Sequence, residues 1–147
     1  MRSRHALALA LACAALALVF AALAAVAEIP RTASAAGAQL YFITPKDGDT
    51  VQGNVTVRFG LNGMGVAPAG VTTAGTGHHH LIVDAPLPPL NLPVPKDERH
   101  LHFGNGQTET VLELAPGAHT LQLVLADALH IPHDPPVVSE QIRIVVK

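Results

Sequence analysis

Hydrophobic and polar residues alternate with a period of two in several short segments of the chain. The alternation is clearest at Leu121, Leu123 and Leu125. This pattern is typical of β-strands that bury one face. Seven segments have strand-like character: QLYFI (39–43), NVTVRF (54–59), HHHLIVD (78–84), HLHF (100–103), QTETVLEL (107–114), HTLQLVLA (119–126) and VVSEQIRIVV (137–146).

Residues that favour turns separate these segments, such as Asn105-Gly106 and Pro116-Gly117. No segment after residue 27 shows a helical period. Seven short strands in about 110 residues are typical of two packed sheets. The sequence therefore predicts an all-β fold, an immunoglobulin-like antiparallel β-sandwich of about seven strands.

The N-terminal segment has the pattern of an export signal. Arg2 and Arg4 precede an uncharged, Ala- and Leu-rich run, which ends in the small-x-small sequence Ala25-Val26-Ala27. We interpret residues 1–27 as a signal peptide, which predicts a periplasmic or secreted protein. If the segment stays uncleaved, the 22 residues of its apolar run, 6–27, are long enough to anchor the chain in a membrane.

The rest of the chain divides into a linker, residues 28–38, and a β-sandwich domain, residues 39–147. Cleavage after Ala35 is an alternative to cleavage after Ala27. Two connections inside the domain are unusually long: residues 61–77 are rich in glycine, and residues 85–99 contain five prolines. Long loops in a compact domain are often functional.

Charge and cysteine content exclude several classes of function. After residue 27 the chain has seven Lys and Arg against eleven Asp and Glu, a net charge of about −4, which argues against binding nucleic acid. It has no phosphate-binding GxxxxGK[ST] sequence, so a nucleotide is not expected either. Cys13 is the only cysteine, so the exported part has no disulfide and no thiolate ligand.

Eight of the nine histidines follow the signal segment. In a sandwich whose strands alternate in direction, the start of 78–84, the end of 100–103 and the loop 127–136 lie at one end. That end collects five candidate metal ligands: His78, His80, His102, His130 and His133. His78 and His80 point to one face of their strand and His79 points to the other, and the sequence leaves open which face holds a ligand.

The Asn105-Gly106 turn predicts a two-residue hairpin between 100–103 and 107–114. In that register Glu109 lies directly across from His102 and could orient its ring from the second shell of a metal site. Asp84 and Asp127 end strands and are predicted to be solvated. His119 begins a strand at the opposite end, where we expect it to hydrogen-bond the nearby backbone.

Several imidazoles without thiolate suit Cu²⁺ or Zn²⁺. We therefore predict a protein that binds copper or zinc and handles or buffers it, together with a periplasmic protein partner if the metal is passed on. Because imidazole has an ordinary pKa near 6.5, affinity is expected to fall below about pH 6. Two alternatives stay open: a recognition module that binds a protein or glycan through the loops 61–77 and 127–136, and a copper enzyme like superoxide dismutase. The enzyme is the least supported, because such enzymes normally carry a disulfide.

Four ordered blocks of the sequence occur together in one known family: GHHHLIVD, HFGNGQTE, LAPGAHTLQLVLAD and HIPHDPPVVSE. They resemble a bacterial family of small exported proteins, domain of unknown function 4399, over roughly residues 43–146. The resemblance implies no established activity or ligand set. The family pattern includes His119 alongside the other histidines.

Overall fold

The structure is a computed structural model that describes residues 29–147. The predicted signal peptide, and the membrane anchor that it could form, lie outside these residues. The described part contains nine strands: β1 (Gln39–Thr44), β2 (Thr50–Val51), β3 (Val55–Asn62), β4 (Gly65–Val66), β5 (Thr76–Val83), β6 (His100–His102), β7 (Glu109–Leu112), β8 (Gly117–Ala126) and β9 (Ile142–Val146). From residue 29 onward, no helix has the length and apolarity needed to span a membrane.

The strands form two sheets. The small sheet has the order β1-β3-β7, and the large sheet has the order β2-β9-β8-β5-β4, with β6 also paired to β5. All pairs are antiparallel except the short pairs β2–β9 and β4–β5. The predicted all-β, two-sheet architecture is confirmed, with nine strands instead of about seven. The two additional strands, β2 and β4, are only two residues long and leave no periodic pattern in the sequence.

The main hydrophobic core lies between the two sheets. Alternate residues of β3 and β8 are buried in it, including Val57 and Phe59 from the small sheet and Leu121, Leu123 and Leu125 from the large one. Because successive side chains of a strand point to opposite faces, the period-two pattern of the sequence translates directly into this inward face.

Strand β5 is buried on both faces along almost its whole length. Leu81 points into the core between the sheets, whereas Ile82 joins a second apolar cluster on the outer face of the large sheet. Val94 belongs to that outer cluster, so the proline-rich loop 85–99 covers part of the outer face. The outer face of β5 is therefore also covered, which explains why every residue from Gly77 to Val83 is buried.

The predicted hairpin between β6 and β7 is wrong. Strand β6 pairs with β5 in the large sheet, where His102 lies opposite His80. Strand β7 pairs with β3 in the small sheet, where Glu109 lies opposite Arg58. A turn does form here, but its central residues are Gly104 and Asn105 instead of Asn105 and Gly106, with the Gly106 N–H donating to the Phe103 carbonyl at 3.1 Å. This turn carries the chain from one sheet to the other. The two short strands β6 and β7 therefore pair with longer strands of different sheets, β6 with β5 and β7 with β3.

Candidate metal centre

Three histidines project from neighbouring strands onto the outer face of the large sheet. His78 and His80 are two residues apart on β5 and therefore share a face. His102 lies on the same face because it is the direct partner of His80 in the antiparallel pair. The ring centroids are 4.9 Å apart for His78 and His80, 5.0 Å for His78 and His102, and 5.1 Å for His80 and His102.

The nitrogen atoms of these three rings converge. One ring nitrogen from each lies within 4.8 Å of the other two. The Nε2 atoms of His78 and His80 are 3.0 Å apart. Two imidazole nitrogens bound to one tetrahedral ion, each at ~2.1 Å, are about 3.4 Å apart. The spacing of the His78 and His80 nitrogens is thus close to what one ion requires, and the three histidines could hold a metal ion.

His130 brings a fourth ring to this group from the loop between β8 and β9. Its centroid is 4.8 Å from that of His102, 4.9 Å from that of His78 and 5.9 Å from that of His80. The converging set of nitrogens does not include His130. The fourth imidazole therefore lies beside the other three, in contact with them.

Several nitrogens of this cluster lack a hydrogen-bond partner. The Nδ1 atoms of His78 and His80 and the Nε2 atom of His102 are all buried and unpaired among the described residues. Most buried polar atoms in proteins do have a partner. The hydrogen bond between the Nε2 atoms of His78 and His80 uses only one N–H and one lone pair. A cation held by one nitrogen of each ring would occupy one lone pair per ring.

Burial keeps these imidazoles neutral. It lowers the pKa of His78 from 6.5 to about 4 and that of His80 to about 2, and the neighbouring histidines lower both pKa values further. The pKa of His102 is lowered by burial and by His130 and Lys96. A protonated imidazole cannot bind a metal, so neutral rings at physiological pH are ready ligands.

Two residues proposed from the sequence lie away from this cluster. His133 is fully buried, but its ring nitrogens face backbone carbonyls, Nε2 that of Thr76 at 3.1 Å and Nδ1 that of Leu125 at 3.4 Å. Glu109 lies in the small sheet, where its carboxylate accepts a hydrogen bond from Arg58 Nε at 2.9 Å. The expected contact between Glu109 and His102 is therefore absent from the described structure, because their strands belong to different sheets.

The middle histidine of the triplet, His79, points into the core between the sheets. Its ring packs on Phe59, with centroids 5.1 Å apart, and burial lowers its pKa to about 4. It cannot join His78 and His80, because the β5 backbone separates the two faces. The question of which face holds the convergent rings, left open by the sequence, is answered by the pairing of His80 with His102.

His119 lies at the other end of β8, as expected. Its Nε2 bonds the Ala115 carbonyl at 2.8 Å, which confirms the predicted contact with nearby backbone, and its Nδ1 bonds Asp84 Oδ2 at 2.7 Å. Both ring nitrogens face acceptors, so the two hydrogen bonds form together only when both nitrogens carry a proton. The hydrogen bonds to Asp84 and to the Ala115 carbonyl accordingly raise the pKa of His119.

The sequence interpretation missed Asp127. This residue was expected to be solvated at the end of a strand, but it is only 5% exposed. Its Oδ1 accepts hydrogen bonds from the backbone N–H groups of Leu129 at 2.9 Å and Ile131 at 3.1 Å, the residues on either side of His130. An Asp just before an irregular loop commonly bonds the backbone two residues later, which was the available signal.

Comparison with known protein families identifies the family of this chain. The family model described as Domain of unknown function (DUF4399) matches residues 57–147, a segment that contains all four clustered histidines. The chain belongs to this family. The resemblance expected from the four sequence blocks is thereby confirmed, and the DUF4399 description assigns no activity.

Other comparisons add little to the DUF4399 assignment. No curated protein matches the chain. Among solved structures, the chain is similar to part of an endo-β-1,4-mannanase from Thermotoga petrophila, with 18% identity and a TM-score of 0.44. The match covers 75% of this chain but only 20% of the mannanase chain. A likeness at this level carries no argument about fold or activity.

Proposed function

We propose that this chain is an exported β-sandwich protein of immunoglobulin type that binds copper or zinc through His78, His80 and His102. The observation that supports this proposal best is the convergence of three imidazole nitrogens within 4.8 Å of one another on two adjacent strands. Ligands on paired strands are held by the backbone ladder, so little additional order is needed when the ion binds.

The donor set favours borderline transition metals. Neutral imidazoles suit Zn²⁺ and Cu²⁺, whereas Ca²⁺ and Mg²⁺ need several oxygen ligands, and the converging group contains no carboxylate. His130 is close enough to act as a fourth imidazole once an ion draws the rings together.

Export would give such a site a role in the periplasm or outside the cell. Binding alone accounts for the arrangement of the histidines, so handling or buffering of the metal is the function that we propose. Delivery to a periplasmic protein partner is compatible with this role. The site would exchange its ion only when the covering loops open, since His78 and His80 are 1% and 0% exposed.

The proposal is tested by elemental analysis of untagged protein, purified from the export compartment, and by competition titration with Cu²⁺ and Zn²⁺. We expect one metal ion per chain, and at least a hundredfold weaker binding after His102→Ala. His100→Ala is the matched control, because His100 lies on the same strand but bonds Asp97 at 2.8 Å outside the cluster. We expect this control to bind as the wild type does.

Absence of metal from the wild type, or equal binding by His102→Ala, would overturn the proposal. Absence of metal would favour the alternative in which the loops 61–77 and 127–136 recognise a protein or a glycan. Superoxide turnover by the copper-loaded wild type would favour the copper enzyme instead.

A further inference from the structure

Residues 31–34 form a short N-terminal strap that lies along the loop carrying His130. The Ser34 N–H donates to the Asp134 carbonyl at 3.0 Å, and the Asp134 N–H donates to the Thr32 carbonyl at 2.9 Å. Ala33 and Asp134 form a parallel bridge. The segment interpreted as a linker therefore contacts the far end of the β8–β9 loop through its backbone.

Arg31 holds three consecutive residues of that loop. Its Nε donates to the Pro132 carbonyl at 3.0 Å, its Nη2 donates to the His133 carbonyl, and its Nη1 bonds Asp134 Oδ1 at 3.1 Å. The side chain of Arg31 is only 20% exposed. A planar guanidinium with donors in fixed directions can fix a stretch of backbone in this way, which a flexible ammonium group does less well.

Thr32 reaches closer to the histidine cluster. Its hydroxyl donates to Asp127 Oδ2 at 2.7 Å, while Asp127 Oδ1 accepts the N–H groups of Leu129 and Ile131. The backbone on both sides of His130 is therefore held by one buried carboxylate, which is itself held by Thr32. The His130 N–H also donates to the Asp127 carbonyl at 2.9 Å.

The backbone of His130 needs such support. Its φ of 67° lies in the left-handed region, which residues with a Cβ adopt at a cost in free energy. Such a conformation persists when the surrounding contacts determine it. Relaxation of the loop would carry the ring of His130 away from His78 and His102, whose centroids are now 4.9 and 4.8 Å from its own.

We infer that Thr32 is a positioning residue of the metal centre: through Asp127 it holds the loop so that His130 can supply the fourth imidazole. This inference rests on the proposed function. The inference also makes the cleavage site matter. A chain cleaved after Ala27 keeps the strap, whereas a chain cleaved after Ala35 loses it.

The test compares Thr32→Val, which keeps the shape of the side chain but removes the hydroxyl, with Thr32→Ser, which keeps the hydroxyl. Thr72→Val is the matched control, since Thr72 is exposed and lines the same cavity as Thr32 and Asp127. The full chain is loaded with Cu²⁺, the affinity is measured by competition, and the coupled imidazoles are counted by pulsed EPR. His102→Ala is measured in parallel.

For Thr32→Val we expect one coupled imidazole fewer than in the wild type and roughly tenfold weaker binding, as is typical when support for a metal ligand is removed. Thr32→Ser and Thr72→Val should match the wild type. An unchanged imidazole count in Thr32→Val, while His102→Ala loses the metal, overturns this inference alone. A wild type that binds no copper overturns the proposed function and the inference with it.

The intact mass of the exported protein supplies a second readout that does not depend on any variant. An N-terminus at or before Arg31 supports the inference. An N-terminus at Ala36 in protein that binds copper through four imidazoles overturns it, because the strap would then be dispensable.

Discussion

The two ends of the large sheet both carry buried or half-buried histidines, but they use them differently. At one end, His78 and His80 have nitrogens with no hydrogen-bond partner among residues 29–147, and burial lowers their pKa values. At the other end, both nitrogens of His119 have acceptors, and its pKa is raised. One arrangement leaves lone pairs free, and the other uses every ring nitrogen as a donor.

This difference shows that the partners of a histidine decide its chemistry more than its position near a strand end. A ring between Asp84 and a backbone carbonyl ties two segments of the chain together, and it has no lone pair to offer an ion. Buried rings that contact mainly one another keep nitrogen lone pairs that no hydrogen bond uses, and such lone pairs can bind a metal ion. The metal assignment therefore belongs to one end of the sheet.

The largest expected effect comes from removing both ligands of β5. We expect His78→Ala combined with His80→Ala to lower metal affinity at least a thousandfold, because two of the three converging nitrogens are lost. His119→Ala should leave the affinity unchanged and lower the free energy of unfolding by about 1 kcal/mol, since two solvent-exposed hydrogen bonds are lost. Competition titration and urea unfolding measure the two effects. A reversed result, with His119→Ala losing the metal, would contradict the division between the ends.

Metal binding should stabilise only a protein with an intact cluster. An ion at a hundredfold excess over its Kd adds about 2.7 kcal/mol to the free energy of unfolding. We expect saturating Zn²⁺ to produce a shift of this size in the wild type and none in His80→Ala. Equal shifts in both proteins would show that zinc binds elsewhere.

The depressed pKa values of the cluster change the expected pH dependence. Between about pH 6.5 and pH 4 the unfolded chain binds protons at His78, His79 and His80 that the folded chain excludes, so stability falls as the pH is lowered through this range. In the folded protein, however, His78 and His80 stay neutral down to about pH 4, and the pKa of His102 is lowered as well. The sequence-based expectation that affinity fails below pH 6 is therefore revised, and we expect tight binding at pH 5 as long as the protein is folded. Affinity that drops steeply near pH 6.5 in folded protein would contradict this.

At the end of the large sheet that carries His119, this histidine should make a smaller contribution to the pH dependence of stability, and one of opposite sign. Because the folded pKa of His119 is raised, its stabilising contribution is complete below about pH 6.5 and is lost as the pH rises through that folded value. The pKa of Asp84 is lowered by the Thr120 N–H and by His119, which outweigh the effect of partial burial, so its contribution is present above pH 3.8 and is lost in acid. NMR titration of the His119 ring should show its pKa returning towards the ordinary value in Asp84→Asn. No change in that pKa would contradict the ion pair.

Much of this arrangement could be predicted from the sequence. The alternation in β8 and β9 fixed the inward faces, and the alternating strand directions placed His78, His80, His102 and His130 at one end. What failed was the hairpin after His102, because the Asn-Gly turn is a local signal and does not specify which sheet receives the next strand.

Loop residues were the least predictable. His133 is only three residues from His130 in the sequence, but its ring nitrogens face two backbone carbonyls instead of the other histidines. Tertiary packing determines this orientation. The buried position of Asp127 and the docking of the strap depend on contacts about 100 residues apart in sequence, such as the bond between Arg31 Nε and the Pro132 carbonyl. No periodic pattern marks such contacts.

X-ray absorption spectroscopy of the zinc- or copper-loaded protein tests the central proposal most directly. A centre built from His78, His80 and His102 requires scattering from at least three imidazole rings, with nitrogen at about 2.0–2.1 Å and no sulfur. A first shell with fewer than three imidazoles, or one dominated by carboxylate oxygen, would contradict the assignment.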